Sequence, residues 1–155
     1  MAFQCLTILS KAQRVSRMCD PDTLVAESGF WVELVADGSV DLVGATAPKI
    51  AKLLYNGNSG NMYESHDVSL GRITTLETVG ARISVTSDFL VGAVAFGDDL
   101  YVAFNQTPAT DNGKLSSAQT TGAGSYNIVA KCEQLNADGS IEYSIVSPVK
   151  LTLGA

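Results

Sequence analysis

The sequence predicts a mainly β fold: a compact β-sandwich or small β-barrel of short antiparallel strands, preceded by an N-terminal arm. Three observations predict it. From Thr23 onward, short runs rich in branched and aromatic residues alternate apolar with polar positions and stop at Gly, Asn or Asp. Two Ala-Asp-Gly-Ser stretches, 36–39 and 137–140, separate such runs, and Asp-Gly supplies the positive φ that tight hairpins need. Only 17% of the 155 residues are charged, against about 25% in an average soluble domain. Much of the surface must then be neutral: hydroxyl, amide, or apolar area that a partner covers.

The elements follow in chain order. Residues 1–19 carry Lys11, Arg14 and Arg17 and no acidic group, whereas the remainder holds seven basic and 16 acidic residues. Asp20-Pro21-Asp22 breaks any helix there, because the proline ring disfavours the α conformation just before it. Residues 1–22 therefore read as an arm and 23–155 as a single β-rich domain. The alternative is a first strand and helix packed on the same core. Deleting 1–19 is expected to spare the fold, since exposed termini bury little.

Gly29–Val35 and Val40–Val43 form a hairpin across the Asp37-Gly38 turn. Lys49–Tyr55, following Pro48, suits helix or strand, and strand is preferred. Residues 56–69 are polar and loop-like. Arg72–Val79 alternates, and Ala81–Thr86 places Ile83 and Val85 on one face. Phe89–Phe96 (FLVGAVAF) is an almost continuous apolar run, predicting a buried strand or a closely packed crossing segment. Gly97-Asp98-Asp99 turns the chain and Leu100–Phe104 runs back. Residues 105–125 form a long loop with a short strand at Lys114–Ala118. Tyr126–Leu135 and Ser140–Val146 make a second hairpin, and Val149–Leu153 is a final separate strand. That is roughly nine or ten strands and one or two short helices. Shared hairpin chemistry explains the matching turns more cheaply than duplication.

Composition excludes several function classes. The net charge of −6 argues against a general nucleic-acid binder. No apolar run approaches the ~18 residues of a membrane span. Cys5, Cys19 and Cys132 are odd in number and widely spaced, which is neither a disulfide framework nor a zinc motif, and reduced thiols are expected. The opening segment places its charges after its apolar residues, the reverse of an export signal.

Chemistry-bearing motifs are sparse. His66, the one histidine, lies in Glu64-Ser65-His66-Asp67, but a triad needs side chains converging from separate segments. It reads as a loop histidine. Asp20/Asp22, Asp37/Asp41 and Asp98/Asp99 are paired carboxylates without a calcium-loop pattern. Gly122-Ala123-Gly124 begins like a dinucleotide fingerprint, yet Asn127 stands at its third glycine and no helix is predicted after it. Trp31 lies in a β-run and reads as core. Thus no catalytic, cofactor-binding or metal-ligating residue is assigned, and an enzyme is not expected.

Five segments make up one pattern: Val91–Phe96, Gly97–Val102, Gly113-Lys114-Leu115, Ile128–Cys132 and Asn136–Ser140. Through them about half of the sequence, from Thr86 on, resembles small head decoration (capsid cement) proteins of tailed bacteriophages. The resemblance implies a structural virion protein, made in the host cytoplasm, that binds the outside of a capsid and stabilises the major capsid protein lattice. It also implies a homo-oligomer, trimer ahead of dimer, and no cofactor, nucleic acid or membrane. Lys11, Arg14 and Arg17, opposed to an acidic body, are the expected capsid-contact residues, strapping the arm to an acidic subunit. Other readings are a tail-tube or baseplate component and a carbohydrate- or host-binding sandwich.

Overall fold

The computed structural model describes residues 3–6, 14–18, 29–55, 72–76, 78–118 and 124–153. Among them lie β1 (Phe3–Cys5), β2 (Arg14–Met18), β3 (Trp31–Leu34), β4 (Val40–Leu42), β5 (Ala51–Leu54), β6 (Arg72–Leu76), β7 (Arg82–Val85), β8 (Leu90–Val91), β9 (Asp99–Val102), β10 (Leu115–Ser117), β11 (Gly124–Leu135) and β12 (Ile141–Leu153). They form a curled seven-stranded sheet, ordered β1-β7-β12-β11-β9-β10-β8, and a five-stranded sheet, ordered β2-β6-β5-β3-β4. Neighbours are antiparallel except β8 with β10. The mainly β fold read from the sequence is the fold observed.

The main core fills the space between the sheets. Trp31, Leu53 and Leu76 from the smaller sheet meet Ile83, Leu100, Ile141 and Tyr143 from the larger. Alternation builds this directly: on β7, Ile83 and Val85 are buried, whereas Arg82 and Ser84 are only half so.

Both predicted hairpins are present, and their turns are chemical twins. In each, the Asp carboxylate accepts the Ser backbone N–H at 2.9 Å, Asp37 from Ser39 and Asp138 from Ser140. Each Ser hydroxyl also donates to that Asp, at 2.5 and 2.6 Å. Gly38 and Gly139 both take φ near +87°, at +87° and +86°. The two turns serve different sheets, in keeping with shared local chemistry.

Of the segment read as an arm, residues 3–6 and 14–18 are described, and both stretches pair with the body: β1 with β7, Phe3 opposite Val85, and β2 with β6, Arg14 opposite Leu76. Phe3 packs on the main core beside Tyr55 and Phe89, ring centroids 5.8 and 6.5 Å apart. Apolar residues in both stretches find strand partners far along the chain, which local charge and Pro21 do not reveal. Two readings need correction. Phe89–Phe96 is not one buried strand: Phe89 closes the 3₁₀ turn Ser87–Phe89, Leu90–Val91 form β8, and a loop that Gly92 turns at φ +74° follows. Phe89 and Val94 are buried, but Phe96 is 73% exposed. Finally, 141–153 is one strand, because the interruption at Ser147-Pro148 is absorbed by a register shift opposite Val129. A bulge is where a strand tolerates proline's missing donor.

Candidate interaction surface

The outer face of the larger sheet divides into a charged half and an apolar half. On the charged half, Arg82 donates to Glu142 at 2.8 Å and lies 3.6 Å from Glu133. Ser144 donates to Glu133 at 2.9 Å. Such half-exposed pairs hold side chains in place for at most about 1 kcal/mol each. On the apolar half, Tyr101, Tyr126 and Ile128 form a small cluster joined by Phe104, Val146 and Leu151.

A fixed loop projects beside this sheet. Asp98 accepts the Ala95 N–H at 2.8 Å and the Ser117 hydroxyl at 2.6 Å. These bonds hold its carboxyl below the usual aspartate range, the Ser117 hydroxyl contributing most. Gly97 N–H donates to the Cys132 carbonyl at 2.9 Å, and Cys132 N–H to the Asp98 carbonyl at 2.9 Å. Gly97 turns the chain at φ +86°. The loop thus presents Phe96 to solvent, flanked by exposed Ala93 and Ala95. An exposed aromatic on a pre-ordered loop loses little freedom on binding, which suits a contact residue.

Sequence reading missed Phe96, because it took an apolar run as buried. Gly92 and Gly97 were the available signal, as glycines bracketing a short apolar stretch mark turns.

The sequence-predicted contact residues fall as follows. Arg14 and Arg17 are register partners of Leu76 and Ile73 on β2, at the edge of the smaller sheet. Lys11 lies outside the described residues, as do His66, Asp20 and Asp22. Asp98 is a loop anchor rather than a solvated tip. Gly124 opens a strand, β11. Trp31 is 3% exposed, a core residue. Cys132 is a buried free thiol, and burial pushes its pKa up. Among the described aromatics Phe96 stands exposed without an exposed aromatic neighbour, unlike the clustered platform of a sugar site.

Two further places carry polar or open character. Glu33 and Asp41 are cross-strand partners on β3 and β4. Burial chiefly, and Asp41 next, raise the Glu33 pKa. A cavity lined by Pro48, Ala51, Val102, Tyr126, Asn127 and Val129 measures about 10 Å³, room for a single water. Above it, Asn127 donates to the Lys49 carbonyl at 2.8 Å, tying the β5 approach to β11. Among the described residues no group of three His, Cys, Asp or Glu is placed to hold a metal, and no helix is long and apolar enough to cross a membrane.

No protein-family model matches the chain, and no curated protein is significantly similar to it.

Proposed function

We propose that this chain is a structural virion protein, a head decoration protein that binds the outside of a phage capsid and stabilises the major capsid protein lattice. One observation carries the reading. The five segments that resemble decoration proteins are not scattered. They map to the end of β8 with the loop after it, to β9, β10 and β11, and to the β11–β12 turn, and these four strands are contiguous in the larger sheet. The same segments include the fixed loop that exposes Phe96. Attachment of this kind needs an ordered surface with exposed anchors, and many weak contacts on a lattice add by effective concentration. In this reading Phe96 enters an apolar recess of the shell. Lys11, Arg14 and Arg17 supply an electrostatic contact to an acidic capsid surface.

The test is reconstitution. Purified chain is mixed with emptied, expanded heads lacking it, and the particles are imaged by cryo-electron microscopy. Density for a β-domain on the outer surface at lattice positions is the expected outcome. Heads that stay bare, with the chain folded, would remove the proposal. A tail-tube role is the second reading, favoured by the length of β12 that, among the described residues, has no partner on its outer edge. A tube protein extends into rings or fibres unaided, whereas a decoration protein stays a small closed oligomer.

A further inference from the structure

The larger sheet has an open edge where a long strand outruns its neighbour. β7 covers β12 only from Ile141 to Ser144. At Ile145 the pairing closes: its N–H donates to the Ala81 carbonyl at 2.9 Å and its carbonyl accepts Gly80 N–H at 2.7 Å. Gly80, at φ +89°, then turns the chain away. β12 runs on to Leu153, paired with β11 on its other side as far as Gly124. Among the described residues nothing pairs with the outer edge of 146–153. Exposure agrees: Ser147, Pro148, Lys150 and Thr152 are exposed and Val149 is 61% exposed. A bare edge of this length invites another strand.

We propose that a second copy of this chain pairs with this edge, β12 against β12, antiparallel about a two-fold axis at Leu151. The edge is complementary to itself, which selects the occupant. The chain carries −6 overall, so acidic faces of two copies repel. Neither 143–153 nor 124–132 contains an acidic residue, so two copies joined along this ribbon meet without carboxylate repulsion there. The regular part of the edge, 149–153, lies beyond the bulge at Pro148. Centred on Leu151, it sets Leu151 opposite the second copy's Leu151, Val149 opposite its Leu153, and Lys150 opposite its Thr152. No like charges face each other, and exposed Val149 gains an apolar neighbour. Pro148 stays outside the paired segment. The larger sheets of two copies become continuous. An isologous contact of this kind gives a dimer, whereas the sequence reading ranked a trimer first. The pairing needs no shell and stands apart from the virion reading.

Thr152 gives the decisive variants because it is exposed and faces Lys150 of the second copy. Thr152→Lys places like charges opposite each other twice per dimer, and Thr152→Glu places opposite charges there twice. Dimer dissociation constants are measured by sedimentation equilibrium for wild type and both variants, with circular dichroism confirming the fold. Thr152→Lys is expected to weaken, and Thr152→Glu to strengthen, the dimer by roughly three- to tenfold. Net charge alone predicts the opposite order, because lysine lowers the overall repulsion and glutamate raises it. Leu151→Cys, oxidised, is expected to cross-link above the wild-type background, since directly opposed antiparallel residues bring Cα atoms within disulfide range, about 4.4–6.8 Å. Val149→Cys is not. Wild type that stays monomeric up to about 0.5 mM, a weak affinity by any interface standard, overturns the proposal. So does a dimer that follows net charge, or one that cross-links at 149 instead of 151.

Discussion

The Ser117 hydroxyl donates to Asp98 Oδ2 at 2.6 Å, joining β10 to the loop that displays Phe96. The same carboxylate accepts Ala95 N–H, so one side chain fixes both limbs of the turn.

Asp98→Asn is therefore expected to lower stability by about 1–2 kcal/mol at neutral pH, the usual range for charge-assisted bonds. Because the folded state holds the Asp98 carboxyl below its ordinary value, that contribution is in place above the ordinary aspartate pKa of about 3.9. It fades as the pH falls through the depressed folded value. Urea midpoints of wild type and variant should differ at about pH 7 and converge toward about pH 2.5. A gap that stays constant across that range would mean the bond does not discriminate between charged and neutral carboxyl.

Glu33 works with the opposite sign. Burial first, and Asp41 across the strand second, raise its pKa. The folded state thus binds the proton more readily than the unfolded one. The ionised carboxylate costs stability once the pH rises through its ordinary and then its raised folded value. Glu33→Gln keeps an acceptor for Lys49 N–H and is expected to raise stability at neutral pH by roughly 0.5–1 kcal/mol. The thermal midpoint should rise at pH 7 and change little near pH 3, where about all of the carboxyl is protonated.

Glycine substitutions should rank by surroundings. Gly38→Ala meets open space at φ +87° and Gly139→Ala an ordinary 3.6 Å contact at φ +86°. Each is expected to cost about 1–2 kcal/mol from backbone strain alone. Gly113→Ala would set Cβ 2.6 Å from the Trp31 carbonyl oxygen at φ +90°. It should cost more than either, about 3 kcal/mol or above, since strain and a backbone clash combine. Equal losses at all three positions would contradict the close packing at Gly113.

Truncation reverses an expectation from the sequence. Removing residues 1–19 takes one strand from each sheet and exposes the ring contacts of Phe3 with Tyr55 and Phe89. The thermal midpoint is expected to fall by about 10 °C or the chain to become insoluble, as a core aromatic lost costs about 3 kcal/mol. A midpoint within a few degrees of wild type would restore the arm reading.

The virion reading makes a separable prediction at the surface. Phe96→Ser alters a side chain that is 73% exposed and should change stability by less than about 0.5 kcal/mol. Copies retained on emptied heads should nevertheless drop several-fold. Raising salt from about 0.05 to 0.5 M should release further copies as screening shortens to a few ångströms. That salt sensitivity should shrink when Lys11, Arg14 and Arg17 become Gln. Retention independent of salt in both proteins leaves apolar contact alone as the means of attachment.

The local parts of this fold were written in the sequence. Asp37-Gly38-Ser39 and Asp138-Gly139-Ser140 each fold a turn with bonds spanning a few residues, so both hairpins were legible. β7 was legible because burial alternates along it. Tertiary structure alone decided where strands without such turns find partners. Phe3 pairs with Val85 and Arg14 with Leu76, contacts about 60 to 80 residues apart in the chain that leave no local pattern. It also decided exposure. Val94 and Phe96 belong to one apolar run, yet Val94 is 8% exposed and Phe96 73%. Among the described residues, the edge of β12 beyond Ile145 is open because β7, on another part of the chain, begins only at Arg82. Hydrogen bonds within a turn are encoded by its own residues, whereas burial and edge pairing depend on which distant segments arrive beside them.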